Sequence, residues 1–219
     1  SIGSYGQMDG VLTASTALSD TVRVGGTLAK FKRNGFGTNF TTGEDNYNKD
    51  VSAARLSAEF LPNSSLFIRL SADTSQDDSN PKHGHRLTVG KISGAPVLSN
   101  VYDTRANLNT ALGKKQQVTQ SGFSALVEYQ IESDLMFKSV TSSRHDKSYA
   151  PIDFDSLGTV DFDVPALYKN KQFSQEFQFT YTGKAFQGVA GVYYIDANAY
   201  NKFDVRLLGT STFTEGDID

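Results

Sequence analysis

The segment QFSQEFQFTYTGKAFQGVAGVYYIDA, residues 172–197, contains two alternating stretches joined by the four residues GKAF. In the first stretch, aromatic and polar side chains occupy opposite parities. The aromatic set is Phe173, Phe177, Phe179 and Tyr181, and the polar set is Ser174, Glu176, Gln178 and Thr180. Successive side chains of a β-strand point to opposite faces, so this period of two predicts a strand with one apolar and one polar face. The second stretch then predicts an antiparallel partner.

The same alternation recurs along the chain. It is clearest in ARLSAEF (54–60), LFIRLSAD (66–73) and FSALVEY (123–129). Segments with more Gly and small residues, at roughly 7–15, 20–34, 135–145 and 187–199, complete a set of about eight strands, each about 9 to 14 residues long. Strands of soluble domains usually have about five or six residues, whereas a tilted strand needs about 9–11 residues to cross a bilayer. Strand length therefore favours a membrane barrel.

The connections between the predicted strands alternate between short and long. Turn-forming residues make tight connections at 18–20, 62–65, 132–134 and 183–186. Long polar stretches occupy roughly 35–48, 76–119, 146–170 and 200–219. Outer-membrane barrels have short periplasmic turns and long extracellular loops, which is the pattern seen here.

Composition argues against several classes of function. The net charge is −3 and no run of Lys or Arg is present, so we predict no nucleic-acid partner. The absence of Cys removes disulfide scaffolds and thiolate chemistry. No nucleophile-elbow, zinc-protease or phosphate-loop motif is present, so we predict no enzyme activity, no catalytic residues and no cofactor.

Charged side chains recur on the polar parity of the alternating strands. On a lipid face each would cost about 2–4 kcal/mol near the bilayer midplane, so in a barrel they must face a hydrated or protein-filled lumen. The predicted lumen-facing residues are Arg55, Glu59, Arg69, Asp73, Glu128 and Glu176. The same alternation also fits a half-exposed sheet of a soluble protein whose charges face water.

The order of several short motifs resembles the barrel of TonB-dependent outer-membrane receptors. The motifs are GSYG (3–6), FKRNGF (31–36), NKDVSAARLSAEFLP (48–62), LMFKSVTSSRHD (135–146), FSQEFQFTY (173–181) and GVAGVYYID (188–196). The resemblance covers nearly the whole chain, and it depends on the order and spacing of the motifs together.

This resemblance implies a fold class and a domain organisation. The fold is an all-β, antiparallel transmembrane β-barrel segment, belonging to a barrel of about 22 strands with a plugged lumen. We expect residues 1–219 to form one partial barrel domain that lacks the plug, the TonB box and most of the barrel. The chain is therefore expected to be a fragment of a longer protein.

The resemblance also implies a location and partners. We expect the bacterial cell outer membrane, with membrane lipid and lipopolysaccharide around the barrel. The plug domain of the same full-length chain would contact the six lumen-facing charges, and TonB would act through the missing N-terminal part. An imported small-molecule ligand completes the set; a siderophore is the first expectation because it is the commonest cargo of the family, and vitamins or sugars fit equally well.

The loop predicted at 146–170 contains two Asp-Phe-Asp triplets. Their residues are Asp153, Phe154 and Asp155, and Asp161, Phe162 and Asp163. These acidic and aromatic groups could contact an imported ligand, or the carboxylates could hold Ca²⁺; as a structural alternative, the two Phe would only anchor a solvated loop. All six residues are therefore predicted as candidates for ligand binding. We predict no metal site, since the spacing is not that of an EF-hand and the pair His83 and His85 lacks a nearby third ligand.

Two alternative functions remain open from the sequence. A passive outer-membrane pore or structural barrel would have no plug and no TonB box upstream of residue 1. A soluble β-rich binding or adhesion protein would need no detergent. It would also bury the apolar parity, for which Leu56, Phe60, Leu66, Ile68 and Leu70 are the marker residues.

Overall fold

The structure is a computed structural model that describes residues 1–90, 94–208 and 210–218, the last of these ranges as backbone only. Its regular elements are β-strands, numbered β1 to β14 in chain order. They are Ile2–Gly3, Gln7–Ser19, Val22–Arg33, Gly37–Thr38, Asp45–Asn46, Lys49–Asn63, Leu66–Asp77, Thr110–Ala111, Lys114–Lys115, Gln117–Glu132, Leu135–Asp153, Phe162–Thr182, Gln187–Leu207 and Thr210–Ile218. The described residues include no helix of the length and apolarity that a membrane span requires.

Ten strands form one antiparallel sheet whose spatial order follows the chain. The order is β1-β2-β3-β6-β7-β10-β11-β12-β13-β14, and the remaining strands form two small hairpins, β4–β5 and β8–β9, inside the long connections. The predicted all-β, antiparallel barrel-segment fold is confirmed. The sheet has nine long strands where about eight were expected, because β14 pairs with the outer part of β13.

The four predicted tight turns are confirmed as connections of two to four residues. They lie between β2 and β3 at 20–21, between β6 and β7 at 64–65, between β10 and β11 at 133–134, and between β12 and β13 at 183–186. Each joins an antiparallel pair that the sequence expectation had also paired. Because the strands run alternately up and down, all four turns lie at one end of the sheet and the three long connections lie at the other.

Two of the predicted long loops are shorter than expected. The segment 146–170 was predicted to be a loop, but β11 and β12 stay paired as far as Asp153 and Asp163, which leaves only 154–161 as the loop. The segment 200–219 was also predicted to be a loop, yet β13 continues to Leu207 and β14 begins at Thr210. The rule of alternating connections therefore fails after β13, and Asp219 lies outside the described residues.

Proline explains why the 146–170 prediction was wrong. Pro151 and Pro165 lie directly opposite each other in the β11–β12 ladder. Pro has no N–H to donate, so it is usually a sign against a strand. Here β10 ends opposite Tyr149, and the pairing of β12 with β13 skips Val164 and Pro165. Neither proline therefore has to donate a hydrogen bond to an outer neighbour.

The sheet has an apolar face that no other described part of the chain covers. Directly paired residues share a face, and the register puts Leu56 beside Ala72 and Phe123, and Phe177 beside Val192. Leu56 is 68% exposed, and none of the marker residues named above is buried. A soluble sheet would need a second layer here, so the bare face supports a lipid environment.

The buried apolar side chains lie at the opposite end from the tight turns. They are Ala106, Leu108, Ala111, Leu157, Val164, Ala166 and Leu167. These residues belong to the long connections and to the outer end of β12. We call the packed segments 34–48, 78–90, 94–116 and 154–161 the loop cap.

Strand β12 has two parts: an inner part as long as the apolar band of a membrane barrel is tall, which we call the membrane-height part, and an outer part that projects beyond it. On its apolar face, Phe173 to Tyr181 span eight residue steps, which is about 26 Å. An outer-membrane barrel has an apolar band about 25 Å tall. Lys171 and Lys169 follow on the same face, so the outer half of β12 and its partner in β11 extend beyond this band into the loop cap.

Candidate functional site

The polar face carries all six residues predicted to face the lumen. Register places Arg55 opposite Asp73 and Glu59 opposite Arg69, and it aligns Glu128 and Glu176 with the same face through β10 and β11. Three ion pairs run across this face: Arg69 with Glu59 at 2.8 Å, Arg144 with Asp73 at 3.0 Å, and Lys138 with Glu128 at 3.5 Å. Glu176 accepts a hydrogen bond from the Gln178 amide at 2.6 Å.

Sequence reasoning missed Lys138 and Arg144, the cations that form ion pairs with Glu128 and Asp73 on this face. Both terminal guanidinium nitrogens of Arg144, Nη1 and Nη2, donate to the Asp73 carboxylate, each at 3.0 Å. The two residues are six apart in LMFKSVTSSRHD, so they share a parity. Ser139, Thr141 and Ser143 on the other parity are not apolar, and this is why the alternation of the segment was difficult to see.

A row of small hydroxyl side chains lies between the charged rows. Successive partners across five strands are Ser57, Ser71, Ser124, Ser142 and Ser174. Ser71 and Ser174 are buried, and the neighbouring rows of this face carry longer side chains such as Arg69 and Glu176. The polar face is therefore a shallow furrow with charged borders.

Two long connections of the loop cap interlock through buried Asn side chains. Asn39 donates from its amide to the Ala106 carbonyl at 2.9 Å. The Asn46 amide donates to the Tyr102 carbonyl and to the Thr104 hydroxyl, both at 3.0 Å. Asn39 and Asn46 are each 2% exposed. Buried amides with several partners fix one arrangement of a loop, so the cap is a packed unit.

We expect Asn46→Ala to loosen the cap without disturbing the wall. The change leaves the Tyr102 carbonyl and the Thr104 hydroxyl without their donor, at a cost of about 1–3 kcal/mol. Limited proteolysis should then cleave within 34–48 or 95–106 at least several-fold faster. Asn34→Ala is the matched control, because the exposed Asn34 side chain makes no hydrogen bond to any described residue. Equal cleavage rates for the two variants would contradict the interlock.

The two Asp-Phe-Asp triplets meet across the tip of the β11–β12 hairpin. Asp153 and Asp163 are direct partners, and the Phe154 N–H donates to the Phe162 carbonyl at 3.1 Å. Alternation turns the two Phe side chains away from the carboxylates. Their rings stack at 5.0 Å between centroids and remain 59% and 41% exposed. The structure therefore separates the six ligand-binding candidates into an exposed ring pair and an acidic group.

Three of the four Asp residues form a buried acidic group that we call the Asp triad. Carboxylate oxygens of Asp153, Asp155 and Asp163 all lie within 4.8 Å of one another. The exposed fractions are 7%, 8% and 0%. Asp161 is half-exposed, and its carboxylate accepts only a long hydrogen bond from Thr159. Asp161 therefore lies outside the triad.

Backbone N–H groups hold two members of the triad in place. Asp153 accepts from Ser156 at 2.6 Å and from Asn107 at 2.8 Å. Asp155 accepts from Leu157 at 2.8 Å through one oxygen, and from Asp161 at 2.8 Å and Phe162 at 2.5 Å through the other. These carboxylates therefore tie the 154–161 loop to β12 and to the long connection that contains Asn107.

The surroundings of the triad disfavour the ionised form of its carboxylates. Burial, with the nearby charge of Asp163 next in importance, raises the pKa of Asp153 to about 7. Burial also raises the pKa of Asp163. Neither group lies in the membrane-height part of its strand. The Arg206 guanidinium, opposite Asp163 in the ladder, pairs with Asp204 at 2.6 Å instead.

The histidines do not join this group. Burial lowers the pKa of His83, which is 7% exposed, and His85 donates through Nδ1 to the Asp103 carbonyl at 2.9 Å. His145 lies within β11, eight residues from Asp153. Among the described residues the Asp triad is the one group of three potential metal ligands that converges.

Comparison with known proteins defines the class of fold. No family model and no curated protein matches the sequence. Among solved structures, the ferric yersiniabactin uptake receptor FyuA from Yersinia pestis matches with a TM-score of 0.70 and 13% identity, over 99% of this chain and 33% of that one. The FpvAI–pyocin S2 complex matches with a TM-score of 0.68 and 14% identity, over 93% and 27%.

A third match is the ferripyoverdine receptor of the Pseudomonas aeruginosa outer membrane, bound to ferripyoverdine, with a TM-score of 0.64 and 12% identity, over 99% and 32% of the two chains. The present chain thus spans 27–33% of the length of these three structures. Its fold is that of a barrel segment of TonB-dependent receptors, as the sequence resemblance implied.

Proposed function

We propose that this chain forms part of the barrel wall of a TonB-dependent outer-membrane receptor that imports a scarce ligand. The observation that carries the proposal is the contrast between the two ends and the two faces of one sheet. Tight turns lie at one end and a packed loop cap at the other, while a bare apolar face lies opposite an ion-paired polar face. Lipid on one side and a polar lumen on the other explain the contrast between the faces, and the short periplasmic turns and long extracellular loops of outer-membrane barrels explain the contrast between the ends.

The polar face is suited to contact with a plug domain of the full-length protein. Its furrow of Ser side chains permits close approach, and its ion pairs are only partly buried, so each is worth less than about 1 kcal/mol. Contacts of that strength can be exchanged when a plug moves. Coupling to TonB would pass through the plug and not through the wall strands.

The loop cap is the part of the chain suited to capture the ligand. The stacked rings of Phe154 and Phe162 are exposed at the tip of a rigid hairpin, and preorganised aromatic surfaces bind ligands with little entropic cost. We propose a ferric siderophore as the ligand, since the matched structures include an uptake receptor for ferric yersiniabactin and a ferripyoverdine receptor.

Energy-dependent uptake tests this function against a passive pore. In cells with this protein as the sole receptor, we expect saturable uptake of radioactive iron supplied as ferric yersiniabactin or ferripyoverdine. Deletion of the gene should abolish that uptake, and so should collapse of the proton gradient with a protonophore. Uptake that continues at the same rate after the gradient collapses would favour a passive pore.

Fractionation tests it against a soluble binding protein. We expect the protein in the outer-membrane fraction, extracted only by detergent and migrating differently on a gel with and without heating. The bare apolar face is the reason for this expectation. Recovery of the folded protein from the soluble fraction would contradict the membrane assignment.

A further inference from the structure

The Asp triad concentrates more negative charge than its surroundings balance. Three carboxylates with at most 8% exposure converge within 4.8 Å. Within the described ranges, none of the three forms an ion pair with Lys, Arg or His. Backbone N–H groups supply only partial positive charge, so the group requires either protons or a cation for stability.

The Asp163 carboxylate is the member of the triad with the fewest stabilising interactions. Its exposed fraction is 0%, and neither of its oxygens has a hydrogen-bond partner. The Asn107 side-chain amide lies nearby and favours the charged form of Asp163, yet it too completes no hydrogen bond. A buried carboxylate without a partner is costly, and native structures normally supply one. This orphaned group faces the other two carboxylates of the triad.

The hydrogen bonds that are present leave lone pairs available on all three residues. Each carboxylate oxygen can accept two bonds. Both Asp153 oxygens and one Asp155 oxygen accept a single N–H, whereas the other Asp155 oxygen accepts two. Both Asp163 oxygens are free. The N–H donors therefore orient Asp153 and Asp155 in the way that outer-shell partners orient ligating carboxylates.

We propose that the Asp triad is a binding site for a hard divalent cation, Ca²⁺ in the first place, which fastens the tip of the β11–β12 hairpin to the rest of the loop cap. This replaces the sequence-based expectation that the chain has no metal site. The donor set consists of oxygen atoms, which suits Ca²⁺ or Mg²⁺ and not the softer transition metals. Ca²⁺ fits better, because it accepts irregular geometry, whereas Mg²⁺ requires a near-ideal octahedron and retains several waters.

The position of the site indicates that a bound cation would have a structural role. Asp153 holds the connection that contains Asn107, and Asp155 holds the middle of the 154–161 loop and its junction with β12. A cation bound to these two residues and to Asp163 would join three chain segments beneath the exposed Phe154–Phe162 pair. Occupancy would therefore stiffen the surface that we propose for ligand capture, although the binding of the cation itself is independent of any transported ligand.

Calorimetric titration of the full-length protein with CaCl₂, in detergent and after treatment with a chelator, tests the proposal directly. We expect one site whose dissociation constant lies in the range of about 10⁻⁴ to 10⁻³ M that is typical of extracellular modules. Asp163→Asn should weaken that binding at least tenfold. Asp161→Asn should leave it unchanged, and because that variant keeps the same overall charge change, it also controls for Ca²⁺ bound by residual lipopolysaccharide.

Limited proteolysis of the wild-type protein provides a second readout that does not depend on any variant. We expect 1 mM to 10 mM Ca²⁺, on the order of the dissociation constant and above it, to slow cleavage within 154–161 several-fold. The same concentration of Mg²⁺ should protect less. Absence of a Ca²⁺-binding heat in the wild-type protein would overturn the proposal and leave protons as the neutralising charge. Binding that Asp163→Asn and Asp161→Asn reduce equally would also overturn it.

Discussion

Replacement of Ala14 by Arg is expected to lower the free energy of unfolding of the membrane-inserted protein by about 2–4 kcal/mol. Ala14 lies on the apolar face of β2, opposite Gly26 of β3. It lies near the middle of the part of β2 that leads into the tight turn at 20–21. In the proposed membrane setting, a guanidinium at this position must leave water for hydrocarbon. Unfolding titrations of the protein in lipid vesicles measure the change.

Ser15→Arg is the matched control for this prediction. Ser15 is the next residue of the same strand, it is similarly small and exposed, and it lies on the polar face opposite Gly25. Its Arg would reach the hydrated lumen, so its cost should be below about 1 kcal/mol. If the apolar face were instead exposed to water, both positions would be hydrated and the two variants would behave alike. Equal stabilities for Ala14→Arg and Ser15→Arg would therefore contradict a lipid-facing apolar face.

The membrane-height wall was the part of the structure that the sequence predicted best. A period of two is a local signal, and a single stretch such as 173–181 contains enough residues to assign both faces. The six charged residues assigned to the polar face do share one face. Their cationic partners Lys138 and Arg144 were missed because β11 carries Ser and Thr on its apolar face, where hydrophobic residues would have marked the alternation.

The projecting ends of the strands were the part that local patterns could not predict. Pro, Asp and Gly between 146 and 170 are turn formers, yet β11 and β12 remain paired through most of this segment. The paired ends also contact the loop cap, for example through the bond from the Asn107 N–H to Asp153, 46 residues apart in sequence. Contacts over that separation leave no trace in a window of ten residues.

The two Asp-Phe-Asp triplets show the same division between local and long-range information. Their composition identified the segment as a candidate site, and strand alternation could have predicted that rings and carboxylates separate. The exclusion of Asp161 and the convergence of the other three Asp residues depend on the Asp153–Asp163 register. That register is fixed only when the whole hairpin has formed, so sequence alone could not divide the four carboxylates into three and one.

The members of the triad should respond oppositely to the loss of a charge when no divalent cation is present. With a chelator present, we expect Asp155→Asn to destabilise the cap by on the order of 2–4 kcal/mol. The Asp155 carboxylate accepts three backbone N–H groups, two of them through one oxygen. An amide has only one oxygen, so at least one N–H of the 154–161 loop must then face an NH₂ group and lose its acceptor.

Asp163→Asn should raise the stability of the cap under the same conditions. Asp163 accepts no hydrogen bond that could be lost, and its removal relieves repulsion with Asp153 and Asp155. The gain is bounded by about 1 kcal/mol, because Arg206 lies opposite and already favours its negative charge. Proteolysis within 154–161 and hydrogen exchange of the Leu157 and Phe162 amides report on both variants.

The contrast between these two substitutions separates a hydrogen-bonding role from a charge role. Both changes are isosteric and both remove one negative charge from the same buried group. If charge repulsion alone governed the triad, each would stabilise the cap in the chelator. If the carboxylates served only as acceptors, Asp163→Asn would have no effect in any buffer, including one that contains Ca²⁺. Opposite responses to the two changes would show that the triad holds the loop through hydrogen bonds and also contains negative charge that its surroundings do not neutralise.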